Sequence, residues 1–201
     1  MSAVPQLNRT LIIACGALAR EILAVVEANG LGHLDLICLP ASLHNHPQKI
    51  PDAVRGAIAE GRKTHERIFL AYADCGTGGA LDRVLEAEGV RRLPGAHCYA
   101  FYSGVAQFEQ RADDDMRAFF LTDFLVRQFD TLVIEGLGLD RYPELRDTYF
   151  QHYEKVVYLA QTQDAELRAL AETAARKLGL AYEYRFTGFG ELATGIAAAG
   201  V

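Results

Sequence analysis

Ile68–Leu85, reading IFLAYADCGTGGALDRVL, is the stretch on which the rest of the chain hangs. Its opening run, IFLAYA, is apolar and has the length of a buried strand. Asp74-Cys75-Gly76-Thr77-Gly78-Gly79 follows without a break, after which Leu81, Val84 and Leu85 recur at helical spacing. A strand, a glycine turn and a helix in that order put the turn at the carboxyl end of the strand, where open α/β sheets bind ligands. A thiol beside a helix N-terminus also feels the positive end of the dipole and ionises more readily. Cys75 is therefore the first functional candidate.

Working outward, the same grammar recurs. Leu11–Ala14 is a short apolar strand that runs into Cys15-Gly16 and a helix carrying Leu18, Ile22, Val25 and Val26 on one face. LDLICL (34–39) reads as a second strand, and ASLHNHPQKIP (41–51) sets His44 and His46 just beyond its end. Asp52 is placed to cap a helix through Glu60. Val90–Leu93 is a further short strand, and Pro94-Gly95 leads to Ala96-His97-Cys98. The segment 119–132 reads as helical, and Asp113–Asp115 as a solvated charge run. KVVYLA (155–160) is a strand. Asp164 caps an amphipathic helix that Gly179 ends, and Tyr182–Phe186 precedes a final helix from Glu191. Strands alternating with helices predict an α/β fold, with a mainly parallel sheet flanked by helices on both faces. The chain reads as a single domain over residues 1–201, with a helical insertion near 98–138.

Composition narrows the function. The 26 acidic and 20 basic residues give a formal net charge of −6, with no basic tract, which argues against nucleic acid as a partner. No apolar run reaches the roughly 18 residues of a membrane span, and MSAVPQLNRT lacks the apolar core of a secretory signal. The expectation is a cytoplasmic protein whose cysteines are reduced, and so serve packing, metal binding or reactivity.

In a parallel sheet successive strands end on one edge, so Cys15, Cys75 and Cys98 are expected to converge there. His44, or His97 in its place, completes a set able to hold zinc or another thiophilic metal. The alternative is a metal-free module for a small anionic molecule, with Asp74, Gly76, Thr77, Gly78 and Gly79 as a phosphate cradle. Neither GxGxxG nor a Walker lysine accompanies those glycines. Cys38, inside LICLP, reads as a packing residue. His33, His65 and His152 read as surface groups, and so do Arg91 and Arg92.

The segments ACGALAREI (14–22), SLHNHP (42–47), YADCGTGG (72–79), PGAHCYAFYSG (94–104), FFLTDFL (119–125), EGLGLDRYPELRDTYF (135–150) and KVVYLAQ (155–161) resemble the bacterial and archaeal family called domain of unknown function 1638. The resemblance runs over nearly the whole chain. Members of that family are often encoded beside corrinoid methyltransferase systems. The resemblance therefore implies a partner among those systems and a role in corrinoid-dependent one-carbon metabolism.

Overall fold

A computed structural model describes residues 9–199; residues 1–8, part of the segment read as lacking a secretory signal, lie outside the described residues. The chain divides into two compact units, Met1–Phe101 with Phe189–Val201, and Tyr102–Gly188. Each carries a parallel sheet flanked by helices, so the expected α/β class holds, with two sheets in place of one.

In the first unit the strands β1 (Thr10–Cys15), β2 (Leu34–Leu39), β3 (Arg67–Ala71) and β4 (Arg91–Arg92) lie in the order β2-β1-β3-β4, all parallel. β1 is buried along its whole length, as expected of a central strand covered on both faces. The helices α1 (Ala19–Ala28), α2 (Ile50–Gly61) and α3 (Ala80–Glu88) make the crossovers. α1 packs with the C-terminal helix Gly190–Ala199, and α2 packs with α3. Right-handed crossovers that run one way from β1 to β2 and the other way from β2 to β3 send α1 and α2 to opposite faces. Ile22 and Val25 from α1, and Val54 and Ile58 from α2, are buried with Ile12, Ile13 and Leu70 of the sheet. The strand order reverses between β1 and β3. That reversal opens a crevice beyond their carboxyl ends, the usual ligand position in such sheets.

In the second unit β5 (Ala118–Thr122), β6 (Lys155–Ala160) and β7 (Ala181–Phe186) are parallel in the order β5-β6-β7. β5 corrects the helical reading of 119–132. Its run AFFLT leads straight into the helix Asp123–Arg127, so two short apolar elements merge into one helical pattern. The boundary is marked by Thr122, whose hydroxyl accepts the Leu125 N–H at 3.4 Å as an N-cap. The helical insertion expected over 98–138 is thus helical over Tyr99–Ser103, Val105–Gln110 and Ala112–Asp115, then broken by a strand. The helix after Asp164 spans Ala165–Leu178, and the Asp164 carboxylate accepts the N–H groups of Glu166 and Leu167. No helix among the described residues is long and apolar enough to cross a membrane.

The charge run is only partly solvated. Asp113 and Asp114 are exposed, whereas the Asp115 side chain is 6% exposed. Arg185 spans it with donors at 2.5 and 2.7 Å, and the Lys155 ammonium stands 3.0 Å away. Both cations also meet Glu183, at 2.5 Å from Arg185 and 2.9 Å from Lys155. These cations hold the Asp115 carboxyl well below the usual carboxylate range, and Glu183 at about 2. A carboxyl depressed on folding stabilises the fold above its unfolded value of about 4 to 4.5. That contribution fades as pH falls toward the folded value.

Asp115→Asn leaves Arg185 and Lys155 short of a partner and is expected to cost about 3 kcal/mol. Thermal melts between neutrality and pH 2 should show the wild-type advantage shrinking as pH drops. An advantage that stays constant across that range would contradict the ion-pair account.

Candidate metal centre

Three segments meet at the carboxyl edge of the first sheet. Cys15 is the last residue of β1, and its Sγ accepts the Ala17 N–H at 3.4 Å, capping a short turn of 3₁₀ helix. Gly16 lets the turn come close to β2: a Cβ there would stand 3.1 Å from the Leu39 carbonyl at the end of β2. Beyond β3, the chain keeps pairing with the segment after β4. Leu93 donates to the Leu70 carbonyl at 3.0 Å, Asp74 to Gly95 at 3.2 Å, and Cys75 to Ala96 at 2.9 Å. Arg92 stiffens that segment. Its guanidinium grips Asp82 at 2.6 and 3.0 Å and donates to the carbonyls of Leu93 and Gly95 at 2.7 and 3.1 Å. Arg92 is therefore a buttress inside the fold and not the surface cation its sequence neighbourhood suggested.

Cys75 has φ of 48°, the one positive φ at a residue other than glycine among the described residues. A left-handed conformation costs an L-residue about 1–2 kcal/mol. Such strain persists where the surroundings impose it, and it clusters at functional sites. The His44 loop lies over the same turn: a Cβ on Gly76 would stand 3.5 Å from the Pro47 ring.

The outcome is a group of three donors. The ligating atoms of His44, Cys75 and Cys98 all lie within 4.8 Å of one another. Cys15 falls outside that group, although its Sγ is 3.8 Å from His44 Nδ1. The same Nδ1 is 3.1 Å from the Ala41 carbonyl. His97 is exposed and does not join the group, and neither does His46, also exposed. Cys38, expected to be buried packing, is exposed on the edge strand β2. His65, expected on the surface, is 10% exposed, and its Nε2 meets Asp35 at 2.9 Å.

The electrostatics tie the three donors together. The Cys98 thiol donates toward Cys75 and outweighs the cost of burial, and His44 adds to it, so the Cys75 thiol is lowered to about 5. Cys98 is pushed up in turn, first by that bond and then by burial. For His44, burial opposes the charge, but the sulfurs of Cys15 and Cys75 prevail and raise it to about 10. A Cys75 thiolate beside a His44 imidazolium is the charge pair these shifts describe.

The glycine turn is organised differently from an anion cradle. The Asp74 carboxylate accepts the N–H groups of Gly78 and Gly79 at 3.1 and 2.9 Å, and the Thr77 hydroxyl at 2.5 Å. The amides of Thr77, Gly78 and Gly79 are satisfied by Asp74. Sequence reasoning also missed Tyr72. It is fully buried, and its ring stacks on His44 with centroids 5.8 Å apart and planes 13° apart. Its position in the apolar run hid it, because an aromatic residue there reads as core.

Residues 38–196 match the family described as Protein of unknown function (DUF1638). The chain belongs to that family. For this member the matched span contains His44, Cys75 and Cys98. No curated protein and no solved structure matches the chain.

Asp74→Ala should lower stability by about 1–2 kcal/mol, because it leaves the Gly78 and Gly79 N–H groups and the Thr77 hydroxyl without their acceptor. It should leave weak or absent phosphate binding unchanged, as read by thermal melts with and without inorganic phosphate. Phosphate-dependent stabilisation of the wild type would contradict this account of the turn.

Proposed function

We propose that the first unit binds one thiophilic divalent metal ion, zinc foremost, through His44, Cys75 and Cys98. The observation that carries the reading is the mutual approach of those three donor atoms within 4.8 Å at the switch point of the sheet. Two thiolates and an imidazole suit zinc, which takes Cys sulfur at about 2.3 Å and His nitrogen at about 2.0–2.1 Å. The His44 Nδ1 contact to the Ala41 carbonyl adds support, because ligating histidines characteristically donate their second ring nitrogen to a carbonyl or carboxylate. The strained Cys75 backbone and the preorganised thiolate point the same way.

The rival reading, a metal-free anion module, loses its cradle to the Asp74 carboxylate. The resemblance to the family supplies the wider setting we propose for the centre, a cytoplasmic role in corrinoid-dependent one-carbon metabolism. A metal ion with an open position would act there as a Lewis acid toward a small molecule.

Elemental analysis after purification under reducing conditions should find close to one metal ion per wild-type chain. Cys75→Ser and Cys98→Ser should lose most of it, because thiolate donation is removed outright. Cys38→Ala should keep it. Equal metal content in all four proteins, or none in the wild type after reconstitution with zinc, would remove the metal reading.

A further inference from the structure

We infer that Cys75 and Cys98 are the site of a reversible oxidative modification: a small peroxide joins them as a disulfide, and the metal ion they hold is released. The release rests on the metal reading above; the bond between the two sulfurs does not.

The first observation is that the main chain itself holds the pair together. Asp74 and Cys75 donate to the Gly95 and Ala96 carbonyls at 3.2 and 2.9 Å, so the segments that carry the two cysteines are zipped side by side. The Cys75 sulfur accepts from both the thiol and the main-chain N–H of Cys98. The two sulfurs lie within 4.8 Å of one another. What remains before they bond is a change of side-chain rotamer, with the backbone in place.

The second observation is which thiols stand apart. Cys15 lies outside that group. Its sulfur accepts the Ala17 N–H at 3.4 Å and hydrogen-bonds the Tyr72 hydroxyl. Cys38 is outside it too, exposed on the edge strand β2.

Access selects the oxidant. Cys75 is 9% exposed and Cys98 is half-buried, which favours a molecule of a few atoms over a bulky disulfide. Hydrogen peroxide is small and uncharged. Cys75 reacts first, as the acceptor in its bond with Cys98. Its sulfur attacks one peroxide oxygen, the O–O bond breaks, and the departing hydroxide takes up a proton and leaves as water. The Cys98 sulfur then attacks the sulfenic sulfur; the S–S bond forms, the S–O bond breaks and a second water leaves. Two electrons pass from the sulfurs to the peroxide. From the metal-bound form, two thiolates, one peroxide and two protons give one disulfide, two waters and the free divalent ion. A disulfide offers no thiolate to the metal, and His44 alone does not retain it.

For the test, the full chain is loaded with zinc, freed of reductant and treated with hydrogen peroxide. A chromophoric chelator reads the released zinc, and peptide mapping after alkylation of the remaining thiols locates any bridge. Wild type, Cys15→Ser and Cys38→Ala should each release close to one zinc ion per chain and yield a bridge between Cys75 and Cys98. A phosphine reductant should restore zinc uptake. Cys98→Ser should form no bridge and leave a Cys75 sulfenic acid that dimedone traps; without that adduct the order of attack is wrong. A bridge that uses Cys15 or Cys38, or recovery of both Cys75 and Cys98 as alkylated thiols, would overturn the redox pair and leave the metal reading standing. A bridge formed with zinc retained would overturn the release. If the wild type takes up no zinc, the metal reading and the release fall together, and peroxide treatment of the zinc-free chain still decides the pair. If Cys98→Ser fails to fold, the wild-type map alone decides it.

Discussion

The site depends on a pair of main-chain hydrogen bonds made after the sheet has formally ended. Asp74 and Cys75 donate to Gly95 and Ala96, so the turn after β3 stays zipped to the segment after β4. Two cysteines far apart in sequence are thereby fixed a few ångströms apart, and Cys75 is twisted to a positive φ. Parallel pairing of β1 with β3 sets the rest: both strands end on one edge, and the His44 loop from β2 folds over the gap. Everything chemical in the first unit follows from those strands ending together.

Around that clamp, polar groups are used twice. Asp74 satisfies the glycine amides, and Arg92 ties Asp82 to the carbonyls of Leu93 and Gly95. Neither touches the proposed metal, yet each holds a backbone segment that presents a ligand. The second unit holds a polar network closed by the chain itself. Asp123, at the carboxyl end of β5, accepts Tyr158, the Gln161 and Thr162 amides and the Thr162 hydroxyl, all between 2.5 and 3.0 Å. Every donor there comes from the chain. At the His44, Cys75 and Cys98 group, by contrast, sulfur and imidazole donors face one another.

Much of this was legible in the sequence, because strand, cysteine, glycine and helix recur in order. LIIA, LDLICL, the IFLA of IFLAYA and KVVYLA fell on strands, and Asp164 and Gly179 bounded their helix as cap chemistry requires. What escaped was nonlocal. AFFLT borrowed a helical period from the Asp123–Arg127 helix after it. Asp115 and His65 looked like surface charges because their partners, Arg185 and Asp35, are distant in sequence. Cys38 looked buried because its apolar neighbours hid the fact that β2 is an edge strand. The choice between His44 and His97 depended on which loop reaches over the turn, which spacing alone does not encode.

X-ray absorption at the zinc edge of the zinc-loaded chain tests the central claim most directly, since it reads the donor atoms themselves. The account predicts two sulfurs at about 2.3 Å and one imidazole nitrogen at about 2.0–2.1 Å. A shell of oxygen and nitrogen alone, without sulfur, would contradict it.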